Sequence, residues 1–197
     1  TGNNTKYLSD TQNIDYEPIL TGKDLRRFTA EPAKKFIKFT PKSFQQVAPV
    51  CKYRSAEKLI YKFISNELVF AYDSSQTLTL NSANIMIPFL PGYSVKTVLG
   101  FLNSSIYQVL FQKRFNAFKI LRGDIEKLPF PIISSSNNRD IVEFVDMILN
   151  TYIPGEQKRN IFFKMDNYIM DIFGLDEKQK DYIWSSAKMS AKLLPFI

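Results

Sequence analysis

Two hydrophobic textures follow one another along the chain. From Ile19 to Tyr72, short aromatic and β-branched runs are broken by turn residues, the pattern of strands. Phe36-Ile37-Lys38-Phe39 alternates apolar and basic, as a half-exposed strand does. Leu59–Ile64 and Leu68–Tyr72 flank Ser65-Asn66-Glu67, which predicts a hairpin. Thr77–Leu80 and Asn84–Ile87 add two strands, the second closed by Pro88, which cannot donate to a ladder. After Pro91-Gly92 the spacing lengthens. Val95, Val98, Leu99, Leu102, Ile106, Val109 and Leu110 recur at three and four residues, one stripe of a long helix with Ser94 as its N-cap. Gly100 within that stripe predicts close approach of a neighbour, because glycine weakens a helix by about 1 kcal/mol.

The residues before and after these textures complete the outline. Thr1–Glu17 is polar and without period, an extended lead-in. Pro129 and Pro131 close the segment after the long helix, and Ser134-Ser135-Ser136-Asn137-Asn138 reads as a linker. Beyond it, helices are expected from about Asp140 to Thr151 and from about Gln157 to Phe173. Gly174 stops the second, and Asp176 with Gln179 forms a capping box for a third. The expected fold class is α+β: a β-rich mixed domain with one long helix over residues 1–133, then a small helical segment over 139–197.

Composition removes several functions. With 197 residues and 45% hydrophobic content, the chain can bury one good-sized core and is not a disordered segment. No apolar run approaches the roughly 18 residues of a membrane helix and the opening residues are polar, so a cytoplasmic protein without membrane contact is expected. The chain opens at Thr1-Gly2 without a methionine, the expectation for a segment of something longer. A single cysteine, Cys51, excludes an internal disulfide and multi-cysteine zinc sites. The absence of histidine excludes Ser-His and Cys-His catalysis and imidazole metal sites. No Gly-x-Gly exists, so neither a dinucleotide fingerprint nor a P-loop is available. Glu156-Gln157-Lys158 and Asp176-Glu177-Lys178 match the carboxylate-x-Lys triplet of metal-dependent nucleases, yet stand where solvated helix-start charges are ordinary.

Charge changes the picture more. Lys and Arg number 26 against 19 Asp and Glu, a net charge of +7. Residues 20–62 carry eleven basic side chains and three acidic, a local +8; residues 99–131 carry five and two, a local +3. A segregated excess of this kind points to a polyanion, nucleic acid before a membrane surface, with a solvated lysine-rich face as the alternative.

Several local strings are more specific. Tyr16-Glu17-Pro18-Ile19-Leu20-Thr21-Gly22-Lys23-Asp24-Leu25-Arg26-Arg27-Phe28 is succeeded by Glu57-Lys58-Leu59-Ile60, Phe70-Ala71-Tyr72-Asp73 and Thr79-Leu80-Asn81-Ser82. Then come Leu99-Gly100-Phe101-Leu102-Asn103-Ser104-Ser105 and Leu121-Arg122-Gly123-Asp124-Ile125-Glu126-Lys127-Leu128-Pro129-Phe130-Pro131. In this order, over roughly residues 16 to 131, they resemble the C-terminal target-recognition domain of TaqI-like DNA adenine methyltransferases, a module also found in single-chain type II restriction–modification enzymes of bacteria. Tyr168–Asp176 is similar to the helical tail that often comes after it. The resemblance implies an N-terminal catalytic domain that binds S-adenosylmethionine and holds a flipped adenine with an Asn-Pro-Pro-Tyr-type loop. This chain has no Pro-Pro pair, so no catalytic residue carries over, and no cofactor or metal is expected within it. The implied role is to read double-stranded DNA and hold it while the methyltransferase domain acts on a base taken out of the stack, in a parent with or without an endonuclease. The alternative is a protein–protein docking module whose basic face meets an acidic partner.

Twelve basic side chains are the candidate DNA contacts. Lys23, Arg26 and Arg27 lie in the shared opening string and suit phosphate contacts or structural roles rather than base readout. Lys34, Lys35 and Lys38 suit backbone clamps or a solvated face. Lys52 and Arg54 bracket Tyr53; Arg54 could pair bidentately with guanine, contact a phosphate or form a salt bridge. Lys113, Arg114, Lys119 and Arg122 interleave with Phe115 and Phe118, which could stack on bases but are more ordinarily core. Asn103, Ser104 and Ser105 are expected to serve helix packing.

Overall fold

The computed structural model describes residues 4–44, 46–115 and 118–187; residues 188–197 of the expected helical tail lie outside these. Two sheets form from short strands. β1 (Leu8–Ser9), β2 (Glu17–Leu20), β3 (Lys35–Ile37) and β6 (Leu78–Thr79) make one, in the order β1-β3-β2-β6, antiparallel except for the β2–β6 pair. β4 (Lys58–Lys62), β5 (Phe70–Asp73) and β7 (Ala83–Met86) make the other, with β4 central and both pairings antiparallel. The expected hairpin is therefore present, with Leu59 opposite Tyr72 and Ile60 opposite Ala71.

The central strand explains its own sequence. Leu59 and Tyr61 pack into the large core with the helices, whereas Ile60 packs with Leu20, Leu25, Val69, Ala71 and Ala83 on the opposite face. A strand covered on both faces needs no polar alternation, which is why Leu59-Ile60-Tyr61 is an unbroken apolar run. Three layers result: the helices, the three-stranded sheet, and the four-stranded sheet with its loops. Ile19, Ile37, Tyr53 and Leu78 form the small core of that last layer, with α1 (Val50–Tyr53) at its side.

The expected long helix is two. α2 (Val95–Asn103) starts as foreseen, with the Ser94 hydroxyl accepting from Thr97 N–H at 3.0 Å, but Ser104 is extended at φ −72°, ψ 157° and α3 (Ser105–Phe115) begins after it. The cause is local and tertiary together. The Ser104 hydroxyl donates to the Phe101 carbonyl at 2.7 Å, and Ser105 N–H donates to Asp166 Oδ1 at 2.8 Å instead of to a carbonyl of its own helix. The apolar stripe continues across the break because both helices face one core.

The carboxyl-terminal helices join that same core. α5 (Ser135–Leu149) begins at Ser135 rather than near Asp140. The serine–asparagine stretch is its start, with the Ser134 and Asn137 side chains forming a reciprocal capping box. α6 (Gly155–Ile172) ends at Gly174, whose φ of +69° is the left-handed stop glycine allows, and α7 (Glu177–Ser186) carries the expected Asp176–Gln179 box. Ile141, Val145, Ile148, Phe162 and Met165 share the core with Phe28, Leu59 and Phe70 from the β-rich part. A Cβ on Gly100 would stand 2.9 Å from Ile141 Cγ2, so the glycine lets α5 approach α2, as the stripe implied. Asp166, buried between α3 and α7, accepts from Ser105 and from Trp184 Nε1 at 2.9 Å; burial pushes its carboxyl above the usual range against those bonds.

Candidate nucleic-acid interface

Three distant stretches, around residues 26–28, 62–70 and 118–120, run side by side. Phe28 N–H donates to the Phe70 carbonyl at 2.7 Å, and the Phe28 carbonyl accepts from Tyr72 N–H at 2.9 Å. Phe28 adopts φ +71° to do so, a strained conformation for a buried aromatic residue. On the other flank, Ile120 N–H donates to the Phe63 carbonyl at 2.8 Å and Ser65 N–H to the Phe118 carbonyl at 3.0 Å, with Ile64 bridged to Lys119. The two basic segments of the sequence thus meet at the turn between β4 and β5. Lys62, half-buried there, has its ammonium pushed below the usual range by burial and by neighbouring Arg26 and Arg27.

Buried polar side chains hold that turn. Gln108 Oε1 accepts from Leu68 N–H at 2.8 Å. The Asn103 amide pairs with both backbone groups of Phe70, donating to the carbonyl at 2.9 Å and accepting from the N–H at 3.1 Å. Asn103 thereby does more than pack: it closes the outer edge of β5, while Ser104 breaks the helix so that Ser105 can reach Asp166. Arg27 is fully enclosed and donates to Glu67 Oε2 at 2.9 Å. Of the two roles open to it, the structural one is the one this structure contains. Burial pulls its guanidinium below the usual range, opposed by Glu67.

The other candidates divide by their partners. Arg26 and Lys34 both pair with Glu31, Lys35 with Asp10 and Lys38 with Asp15. Arg54 places both Nη atoms on Glu17, at 2.7 and 2.8 Å, and its guanidinium lies over the Phe39 ring at 5.4 Å; the carboxylate hydrogen bonds push its pKa up. Of the roles considered for Arg54, the salt bridge is the one the structure contains, and guanine readout would require giving up this fork. Arg122 pairs with Glu126 one turn on, in the short α4 (Arg122–Ile125). Arg114 donates to the Lys127 carbonyl at 3.1 Å, and Lys113 contacts the Tyr182 hydroxyl and ring. Lys23, Lys52 and Lys119 are exposed and form no ion pair among the described residues. Phe115 packs beside Phe111 at the core, but Phe118 is 79% exposed, a departure from the ordinary core reading.

A groove of about 500 Å³ opens between the two sheets. Phe44, Gln46, Val47 and Lys52 form one wall, and Tyr61, Phe63, Asn81 and Asn84 the other. Its Phe63 end adjoins the turn where the basic segments meet. Lys62, Gln46, Asn81 and Asn84 were not singled out from the sequence. Lys62 carried a usable signal, a charge closing an otherwise buried apolar run; the amides carried none, since loop asparagines are ordinary.

Fold and surface define an α+β module with a concave, positively flanked face on a double-sheet scaffold. Residues 17–130 match the family model of the TaqI-like C-terminal specificity domain, and the chain belongs to that family. A specificity domain of this kind belongs to DNA sequence recognition in methyltransferase-type enzymes. No curated protein matches the chain. Among the described residues, no cluster of His, Cys, Asp or Glu could hold a metal ion, and no helix is long and apolar enough to cross a membrane.

Proposed function

We propose that this chain reads a specific sequence in double-stranded DNA and holds the duplex for an S-adenosylmethionine-dependent adenine methyltransferase domain N-terminal to it, within a restriction–modification system. Its own residues bind and orient the duplex; methyl transfer and the cofactor are assigned to the other domain, because this chain has neither a Gly-x-Gly nor a Pro-Pro loop. The observation that carries the reading is the meeting of the two basic segments at the β4–β5 turn beside the groove. Lys23, Lys52, Lys62 and Lys119 supply phosphate contacts, with Lys113 and Arg114 behind them. Gln46, Asn81 and Asn84 supply amides of the kind that pair bidentately with adenine edges.

The test is the salt dependence of duplex binding. Each phosphate contact adds about 0.9 to the negative slope of log affinity against log salt. Lys52→Ala and Lys119→Ala are expected to reduce that slope by about 0.9 each for all sequences alike. Lys35→Ala and Lys38→Ala are expected to change it less, because their ammonium groups already lie against Asp10 and Asp15. Duplex binding with no salt dependence, or a slope unmoved by both exposed-lysine variants, would favour the acidic-partner docking module.

A further inference from the structure

We propose that the short ladder joining Ile64 to Lys119 is an apolar wedge that enters the base stack of the bound duplex, with Phe118 as its tip. The inference rests on the DNA-reading function above and adds a residue class that a purely electrostatic surface would not contain. Ile64 is 64% and Phe118 79% exposed, and Leu121 comes next in the same strand-like segment. Ile64 and Lys119 are bridge partners, so their side chains share one face of the ladder. Isolated exposed apolar residues need no explanation. Here they stand on the two faces of a two-stranded tip, Ile64 beside Lys119 and Phe118 on the opposite face by strand alternation. The backbone is held on either side of the bridge by Ser65 N–H to the Phe118 carbonyl at 3.0 Å and Ile120 N–H to the Phe63 carbonyl at 2.8 Å.

Charge says what covers the tip. Lys62, Lys119 and Arg122 flank it in sequence and structure, and Lys113 and Arg114 end the helix that leads to it. The acidic groups of the same segments are engaged: Glu67 with Arg27, Asp124 with Lys127 and Glu126 with Arg122. An apolar surface ringed by cations fits an apolar target inside an anionic shell, which is the description of stacked bases between phosphate strands. Side chains that wedge between base steps are commonly large and apolar, and the unstacking they cause is offset by closer wrapping of the duplex. The rigid anchoring suits this use, because a floppy phenylalanine would lose its contact to ordering entropy.

The experiment uses the full chain and duplexes carrying 2-aminopurine at successive positions, whose fluorescence rises when stacking is disturbed. Wild-type protein is expected to raise fluorescence at one or two adjacent positions. Phe118→Ala is expected to abolish that rise and weaken duplex binding about 10-fold, leaving the salt slope unchanged. Phe118→Trp is expected to retain both. Phe89→Ala is the control, since Phe89 is 97% exposed on the loop after β7, away from the ladder. Because Phe118 is exposed, its loss does not threaten folding. Tight, salt-dependent duplex binding by Phe118→Ala with wild-type fluorescence would overturn the wedge and point to a protein partner for this tip. Failure of wild-type protein to bind duplex at all would instead refute the DNA-reading function itself.

Discussion

Replacing Asn103 by alanine removes the side chain that satisfies the outer edge of β5 at Phe70. The Asn103 amide is buried and makes two bonds to that backbone, at 2.9 and 3.1 Å. Each neutral hydrogen bond contributes about 1 kcal/mol net, so the pair is worth about 2 kcal/mol. The consequences for its two partners differ. The Phe70 carbonyl keeps the Phe28 N–H at 2.7 Å, whereas the Phe70 N–H is left buried with no other partner among the described residues, a further 1–3 kcal/mol or so. A loss of about 3–5 kcal/mol is expected, a large part of the roughly 5–15 kcal/mol that holds a domain together. With a urea slope of about 2.5 kcal/mol per molar, the unfolding midpoint falls by about 1.2–2 M. Asn103→Asp should be at least as damaging, because a carboxylate would face the Phe70 carbonyl without a proton to donate. Urea denaturation followed by tryptophan fluorescence at Trp184 checks both variants. A midpoint shift below about 0.3 M for Asn103→Ala would refute the edge-closing role and return the residue to simple helix packing.

Further expectations concern close approach and the buried charge. A Cβ on Gly22 would stand 2.6 Å from the Ser82 carbonyl oxygen, backbone that cannot turn aside, so Gly22→Ala should cost roughly 2–3 kcal/mol by urea unfolding. At Gly100 the obstacle is the Ile141 side chain and the helix gains about 1 kcal/mol of propensity, so Gly100→Ala should cost about 1 kcal/mol; the reverse order would contradict the packing described. Arg27→Met removes the buried guanidinium that pairs with Glu67 and should cost about 3–5 kcal/mol, with Glu67→Gln added in the same chain recovering much of it. DNA affinity per folded molecule should be unchanged in that double variant, and a drop in its salt slope would show that Arg27 reaches a phosphate after all.

Much of the fold is legible in local pattern because local pattern decides it. The hairpin around Ser65–Glu67, the Ser94 cap, the Asp176–Gln179 box and the Gly174 stop each depend on side chains within a few residues of one another. The break at Ser104 was hidden for the opposite reason: it depends on Asp166, 61 residues away from Ser105, and the apolar stripe runs through it unaltered. The serine–asparagine stretch at 134–138 misled because the residues that make good linkers also make good N-caps, and only the amphipathic run on their C-terminal side tells the two apart.

Charge counting failed in a similar way at the site. The local +8 of residues 20–62 is real, but Lys35, Lys38 and Arg54 take their carboxylates from Asp10, Asp15 and Glu17, outside that stretch. Lys58 and Arg27 take theirs from Asp73 and Glu67, also outside it, and both are buried. What remains for a polyanion is narrower than the sequence suggests: Lys23, Lys42, Lys52 and Lys62 from that segment, joined from the other by Lys119 and by Lys113 and Arg114, which take a hydroxyl and a carbonyl rather than a carboxylate. Folding selects among cations by distance in space, which segment sums ignore.

Hydrogen–deuterium exchange of the chain with and without duplex DNA, at low salt, tests most directly where the duplex lies. Slowed exchange is predicted for residues 62–67 and 118–122 and along the groove wall at 46–53, with α5 and α6 unchanged. Protection confined to the helical layer, or none at saturating duplex, would contradict the assignment of this face to DNA.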